Sequence, residues 1–155
     1  MEDNILIDEK YIHLDSEYDS KEDLLKYLTE TMLKDDIIKD TFYENLMERE
    51  SKYPTGLNTG DIKVAIPHTN PEHVKRAAIS IATLKKPIRF KNMENSTQDI
   101  DADLVFMLAV DNPEKQVPLL VKLMSIFSQK EKLEEIKNSK DKSEIKKIME
   151  KLLED

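Results

Sequence analysis

The side chains able to do covalent chemistry in this 155-residue chain are few, and the cysteine count sets the first limit. There is no cysteine, while histidines stand at 13, 68 and 73. Thiolate nucleophiles, disulfides and sulfur-ligated metals are therefore excluded. His68 follows Ile66-Pro67 and precedes Thr69-Asn70. Proline lacks the N–H that continues a ladder, so it closes a strand and leaves the imidazole where that strand opens into a loop, the place where open α/β sheets present ligand sites. Near neutral pH a useful fraction of imidazole is unprotonated, and one ring nitrogen can attack while a hydrogen bond holds the other. His68 is accordingly the candidate nucleophile for carrying a phosphoryl group. Such a site also needs charge stabilisation from a guanidinium fork, from backbone N–H groups in a glycine-shaped loop and from a hydroxyl. Arg49, the loop holding Thr55, Gly56 and Gly60, and Thr69 are the candidates for those parts.

The other histidines read differently. His13 lies between Ile12 and Leu14 in an expected strand, facing solvent or satisfied internally. His73 follows His68 by five residues with Pro71 between them, which argues against a shared helix face and makes it a rim or surface residue. No His-x-x-x-His spacing is present, so no metal and no cofactor is expected. Nucleophile-elbow, P-loop and dinucleotide fingerprints are absent from the sequence, leaving hydrolase, nucleotide-kinase and dehydrogenase readings without support.

Elements to hold these residues follow from apolar periodicity. A strand is expected near Tyr11 to Leu14. Ser20 with Asp23 suggests a capping box, after which Leu24, Leu25, Leu28, Met32 and Leu33 mark a helix face. A second helix begins near Asp40, turns Phe42, Tyr43, Leu46 and Met47 inward and ends by Tyr53, because Pro54 disfavours helical geometry in the residue before it. Gly56 and Gly60 are the only glycines, where average usage would give about eleven. Their loop is read as a tight turn that uses positive φ. Ile62 to Ile66 is expected as a strand, and Ala77 to Leu84 and Leu104 to Val110 as strands covered on both faces. Ile88 to Phe90 reads as a short extra strand, and Asn92 to Asp103 as a polar loop. Leu119, Leu120, Leu123, Met124 and Phe127 form one later helical stripe, and Ile145, Ile148, Met149, Leu152 and Leu153 another, with a short helix at Leu133 and Ile136 between them. Pro113 and Pro118 suit the entrance of the first of these helices and cannot both lie deep inside it. The fold class is α/β: one domain over residues 1–155, with a single central mixed β-sheet of about five strands sandwiched by helices.

Charge narrows the partners. The net charge is −8, and residues 1 to 36 hold twelve acidic against four basic side chains while the remainder balances. An acidic surface without a basic, aromatic-interleaved stripe argues against nucleic acid. Pairs such as Lys85/Lys86 and Lys75/Arg76 read as solvated faces. The acidic N-terminus is unlike a secretory signal, and no apolar run approaches the length of a membrane span, so no direct membrane insertion and a cytoplasmic location are expected.

The run from Glu48-Arg49-Glu50 through Tyr53-Pro54-Thr55-Gly56-Leu57, followed by Val64-Ala65-Ile66-Pro67-His68-Thr69, resembles the type-2 enzyme IIA domain of the bacterial sugar phosphotransferase system, the fructose/mannitol class. The Pro-Thr-Gly-Leu and Ile-Pro-His-Thr elements resemble its galactitol-type subgroup. The resemblance covers essentially the full length. It implies a cytoplasmic phosphotransferase component that accepts a phosphoryl group on His68, beside Arg49, from the phosphohistidine carrier protein. It passes that group to enzyme IIB, usually on a cysteine, and so serves the membrane enzyme IIC indirectly. A regulatory module that binds a regulator or transporter according to its phosphorylation state is the alternative. Fructose and mannitol members commonly carry a second histidine after the apolar strand, whereas Asp111 to Gln116 contains none. Glu114, Lys115 or Gln116 would have to serve there. An inert reading treats His68 as structural, which requires a buried ring with both nitrogens satisfied.

Overall fold

In a computed structural model that describes residues 5–154, the apolar runs assemble into one five-stranded sheet with helices on both faces. Residues 1–4, read above as unlike a secretory signal, lie outside the described residues. The strands are β1 (Ile12–Ser16), β2 (Gly56–Leu57), β3 (Val64–Ala65), β4 (Ala78–Lys91) and β5 (Asp99–Ala109), in spatial order β1-β4-β5-β3-β2. Pairing is parallel for β1 with β4 and β3 with β5, and antiparallel for β4 with β5 and β2 with β3. The sheet is thus mixed.

Helices α1 (Lys21–Lys34) and α2 (Phe42–Lys52) cover one face, and α3 (Pro113–Phe127), α4 (Lys130–Asn138) and α5 (Lys142–Glu154) cover the other. Alternation along β5 sends Leu104, Phe106 and Leu108 into the α3–α5 side and Val105, Met107 and Ala109 into the α1–α2 side. This is why the run is continuously apolar: both of its faces are interior. Among the described residues no helix is long and apolar enough to cross a membrane.

Several sequence expectations change in detail. Ile88 to Phe90 is not a separate strand but the outer half of β4, beyond a register shift between Thr83 and Ile88. The acidic stretch read as loop is strand from Asp99 onward. Its carboxylates are paired across the hairpin, Asp99 with Lys91 at 2.7 Å and Asp101 with Arg89 at 3.4 Å. The strand expected over Ile62 to Ile66 shortens to Val64–Ala65. Leu33 and Met124, expected to face inward, are 40% and 44% exposed at the margins of their helices. Ser20 caps α1 as anticipated, its hydroxyl accepting from the Asp23 N–H at 3.2 Å. Pro113 occupies the first turn of α3, and Pro118 sits inside the helix.

Candidate functional site

The site is built where α2, the turn into β2 and the carboxyl end of β3 converge. His68 continues the β3 direction beyond the strand, bridging to Leu108 of β5, and the Leu108 N–H donates to the Pro67 carbonyl at 2.9 Å. The backbone under the imidazole is therefore tied to the central strand. The ring is buried, 6% exposed, with Nδ1 2.7 Å from the Ile66 carbonyl oxygen. A carbonyl can only accept, so Nδ1 carries the proton and Nε2 keeps its lone pair. Nε2 makes no hydrogen bond within the described residues and is not sealed from solvent. One nitrogen is satisfied and the other is open, whereas the inert reading requires both to be satisfied.

Burial pushes the His68 imidazole below the ordinary histidine pKa; the hydrogen bond to Ile66 opposes this, and the Arg49 guanidinium reinforces it. The shift favours the neutral ring, the state a nucleophile requires. Arg49 projects from the last turn of α2, its guanidinium carbon 5.4 Å from the Tyr53 ring centroid. Its Nε is buried without a partner, and no carboxylate among the described residues pairs with it. A buried guanidinium donor without an acceptor is costly unless something supplies one.

The remaining sequence candidates are placed unevenly. Thr55 is buried; its N–H and hydroxyl both donate to Glu50, and its carbonyl accepts from the Ile66 N–H at 3.2 Å. Gly56 sits at an ordinary φ, unlike Gly60 at +112°. The positive-φ reading holds for Gly60 alone. Gly56 is required by close approach: a Cβ there would stand 2.6 Å from the Lys91 carbonyl oxygen. Thr69 is buried, and its carbonyl accepts from Gln116 Nε2 at 3.3 Å, so Gln116 borders the site from α3. Lys115 pairs with Asp111 at 3.2 Å, while Glu114 lies on the exposed first turn, where its N–H donates to Asn112 Oδ1. No contact joins the Glu114 carboxylate to His68 or Arg49 among the described residues.

Sequence reasoning missed Glu50. It is 2% exposed and accepts from the Thr55 N–H at 2.9 Å and the Thr55 hydroxyl at 2.8 Å. The available signal was its place beside Arg49 on a helix turned toward the Pro54-Thr55 turn. His13, expected to face solvent or be satisfied, is half-buried: its ring packs edge-on to Tyr27 at 5.1 Å, with Nε2 buried and unpartnered. His73 Nδ1 lies 2.8 Å from the Thr41 hydroxyl at the surface.

Comparison with known proteins bears on this arrangement. Residues 5–152 match the family described as phosphoenolpyruvate-dependent sugar phosphotransferase system, EIIA 2. The galactitol-specific EIIA component of Escherichia coli (strain K12) is 30% identical over 100 residues, 64% of this chain and 66% of that relative. The ascorbate-specific EIIA component of the same strain is 24% identical over 141 residues, 90% of this chain and 89% of the relative. In fold, the chain is similar to the complex of enzyme IIAMTL and phosphorylated enzyme IIBMTL from Escherichia coli, with TM-score 0.77 and 17% identity over 98% of this chain and 100% of that one. It is also similar to nitrogen regulatory protein IIA-Ntr from Neisseria meningitidis, with TM-score 0.72 and 26% identity over 91% of this chain and 94% of that one.

Proposed function

The chain belongs to the EIIA 2 family of the phosphoenolpyruvate-dependent sugar phosphotransferase system, and from that premise we propose that it relays a phosphoryl group on Nε2 of His68 between two protein partners. The observation that carries this reading is the ring itself: Nδ1–H is committed to the Ile66 carbonyl, Nε2 is open, and a guanidinium without a partner stands close enough to depress the ring's pKa.

The donor is the phosphohistidine carrier protein. The Nε2 lone pair of neutral His68 attacks the donor phosphorus, a P–N bond forms, and the donor's P–N bond breaks to release its imidazole. The guanidinium of Arg49, whose Nε lacks a protein partner, donates to the phosphoryl oxygens and stabilises their charge in the transition state. In the next step a nucleophile of enzyme IIB, usually a cysteine thiolate, takes the group and returns His68 to its neutral form. The partnership with enzyme IIB is supported by the fold shared with the IIAMTL–IIBMTL complex. Thr55 and Gly56 shape the turn beside the ring, Thr69 and Gln116 border its far side, and Glu114 lies within reach of a docked partner rather than of the ring. The relay operates in the cytoplasm and serves enzyme IIC through enzyme IIB.

The test is transfer from purified phosphorylated carrier protein, read by intact mass. The expected result is one acid-labile phosphoryl group on the wild type and none on His68→Ala; equal labelling of both would defeat the proposal. A panel of enzyme IIB partners then asks whether the group moves on. The likeness to IIA-Ntr favours a second reading, a regulatory module, and a phosphorylated protein that never passes its group to any enzyme IIB would select it.

A further inference from the structure

We propose that Glu50 is a positioning residue for His68: it anchors the turn whose backbone holds the Ile66 carbonyl against Nδ1, and so leaves Nε2 as the nucleophile. This rests on the relay reading above.

Four hydrogen bonds make the connection. Both Glu50 carboxylate oxygens are taken by Thr55, one by its N–H at 2.9 Å and one by its hydroxyl at 2.8 Å. The Thr55 carbonyl accepts from the Ile66 N–H at 3.2 Å. The Ile66 carbonyl accepts from His68 Nδ1–H at 2.7 Å. Thr55 fixes the peptide entering Ile66, and its own position is fixed by Glu50. The ring proton therefore rests on a stack whose base is a side chain of α2.

That base stands beside Arg49 in the chain, so the last turns of α2 place the cation and, through Thr55, the tautomer. Thr55 donates one bond to each carboxylate oxygen and Glu50 forms no ion pair with its neighbour, so the Arg49 guanidinium keeps no carboxylate partner among the described residues. The influence on His68 is geometric rather than electrostatic. Burial, the Ile66 carbonyl and Arg49 are what move the ring's pKa, and Glu50 is not among them. A buried carboxylate with both oxygens engaged is a rigid anchor, since either lost bond leaves an unsatisfied buried group.

The experiment uses the full chain, labelled with 15N and held at mildly alkaline pH where the ring is neutral. Two quantities are read: the fraction of His68 protonated on Nδ1, from the ring nitrogen shifts, and the initial rate of phosphoryl gain from phosphorylated carrier protein. Glu50→Ala is expected to mix the tautomers and slow acceptance by about 100-fold, the scale of loss when a reacting group is misplaced from a distance. Glu50→Gln, which keeps one acceptor oxygen, should fall between Glu50→Ala and the wild type. If Glu50→Ala does not fold, Thr55→Val and Glu50→Gln carry the same test by removing single bonds. A folded Glu50 variant with the wild-type tautomer and rate overturns the proposal, as does an unshifted tautomer in both single-bond variants. A wild type that gains no phosphoryl group defeats the relay reading instead, while the tautomer measurement on the unphosphorylated protein still decides the role of Glu50.

Discussion

At position 68 burial and the proposed reactivity pull in one direction. The ring is desolvated and faces a guanidinium, both of which disfavour its cation, so its pKa lies below the ordinary value. Acceptance of a phosphoryl group requires the neutral ring and should therefore hold level as pH falls through about 6.5, the value for a free histidine, declining only below it. Arg49→Gln removes one of the two depressing influences and should move that acid limb upward, besides slowing the reaction; a pH–rate profile of both proteins reads the difference. Arg49→Lys keeps the charge but replaces a planar fork with a point charge, and about tenfold slower acceptance is expected with an unchanged melting temperature. His13 offers a contrast of the same residue type. Burial and nearby Lys142 push it down to about 4. Between about 6.5 and that value the unfolded chain holds a proton on His13 that the folded chain refuses, so stability falls as pH falls across this window. His13→Leu should flatten that slope in urea midpoints measured against pH, and an unchanged slope would show that other groups carry it.

The elements show what residue types could and could not reveal. His68 at a strand end, the long apolar runs and the Ser20 cap were legible because each rests on a local rule: proline's missing N–H, two-faced burial, a hydroxyl three residues before an amide. Asp99, Asp101 and Asp103 were misread as loop because their compensation is non-local. Lys91 and Arg89 across the hairpin and the Lys63 N–H at 3.0 Å from Asp103 Oδ2 supply it. Glu50 escaped for a related reason, since its partner is a backbone-anchored turn rather than an opposite charge. Gly56 was the right residue for a different cause. Ala at 56 would drive a methyl into the Lys91 carbonyl at 2.6 Å and against Ile100 Cβ at 3.0 Å, both in packed strand. Gly56→Ala should cost about 1–3 kcal/mol by forced displacement, whereas Gly60→Ala, open in space but at φ +112°, should cost about 1–3 kcal/mol through backbone strain alone. Urea midpoints measure both, and only Gly56→Ala should also perturb phosphoryl acceptance, because it displaces the turn beneath the ring.

Across the whole molecule, one sheet serves two interiors, and the question is whether they form one cooperative unit. Phe106 of β5 packs on Phe127 of α3 with ring centroids 5.0 Å apart, on the α3–α5 side. The next residue, Met107, faces α1, where its sulfur lies 3.9 Å from the Thr29 hydroxyl. All five tyrosines, at 11, 18, 27, 43 and 53, fall within the first 53 residues, and Tyr11, Tyr18 and Tyr43 pack in or against the α1–α2 interior, so tyrosine emission reports on that side, while far-UV dichroism weighs all the helices. Because β5 contributes alternate side chains to both interiors, the strand cannot lose its packing on one face and keep its pleat on the other. Phe106→Ala should therefore cost about 3–5 kcal/mol and Met107→Ala about 2–5 kcal/mol. Each should shift the tyrosine and dichroism transitions by the same amount, as two-state unfolding demands. A Phe106→Ala protein whose dichroism midpoint drops while its tyrosine midpoint stays in place would mean that the helices behind β5 melt on their own, and that the carboxyl end of β3 carrying His68 is held from one side only.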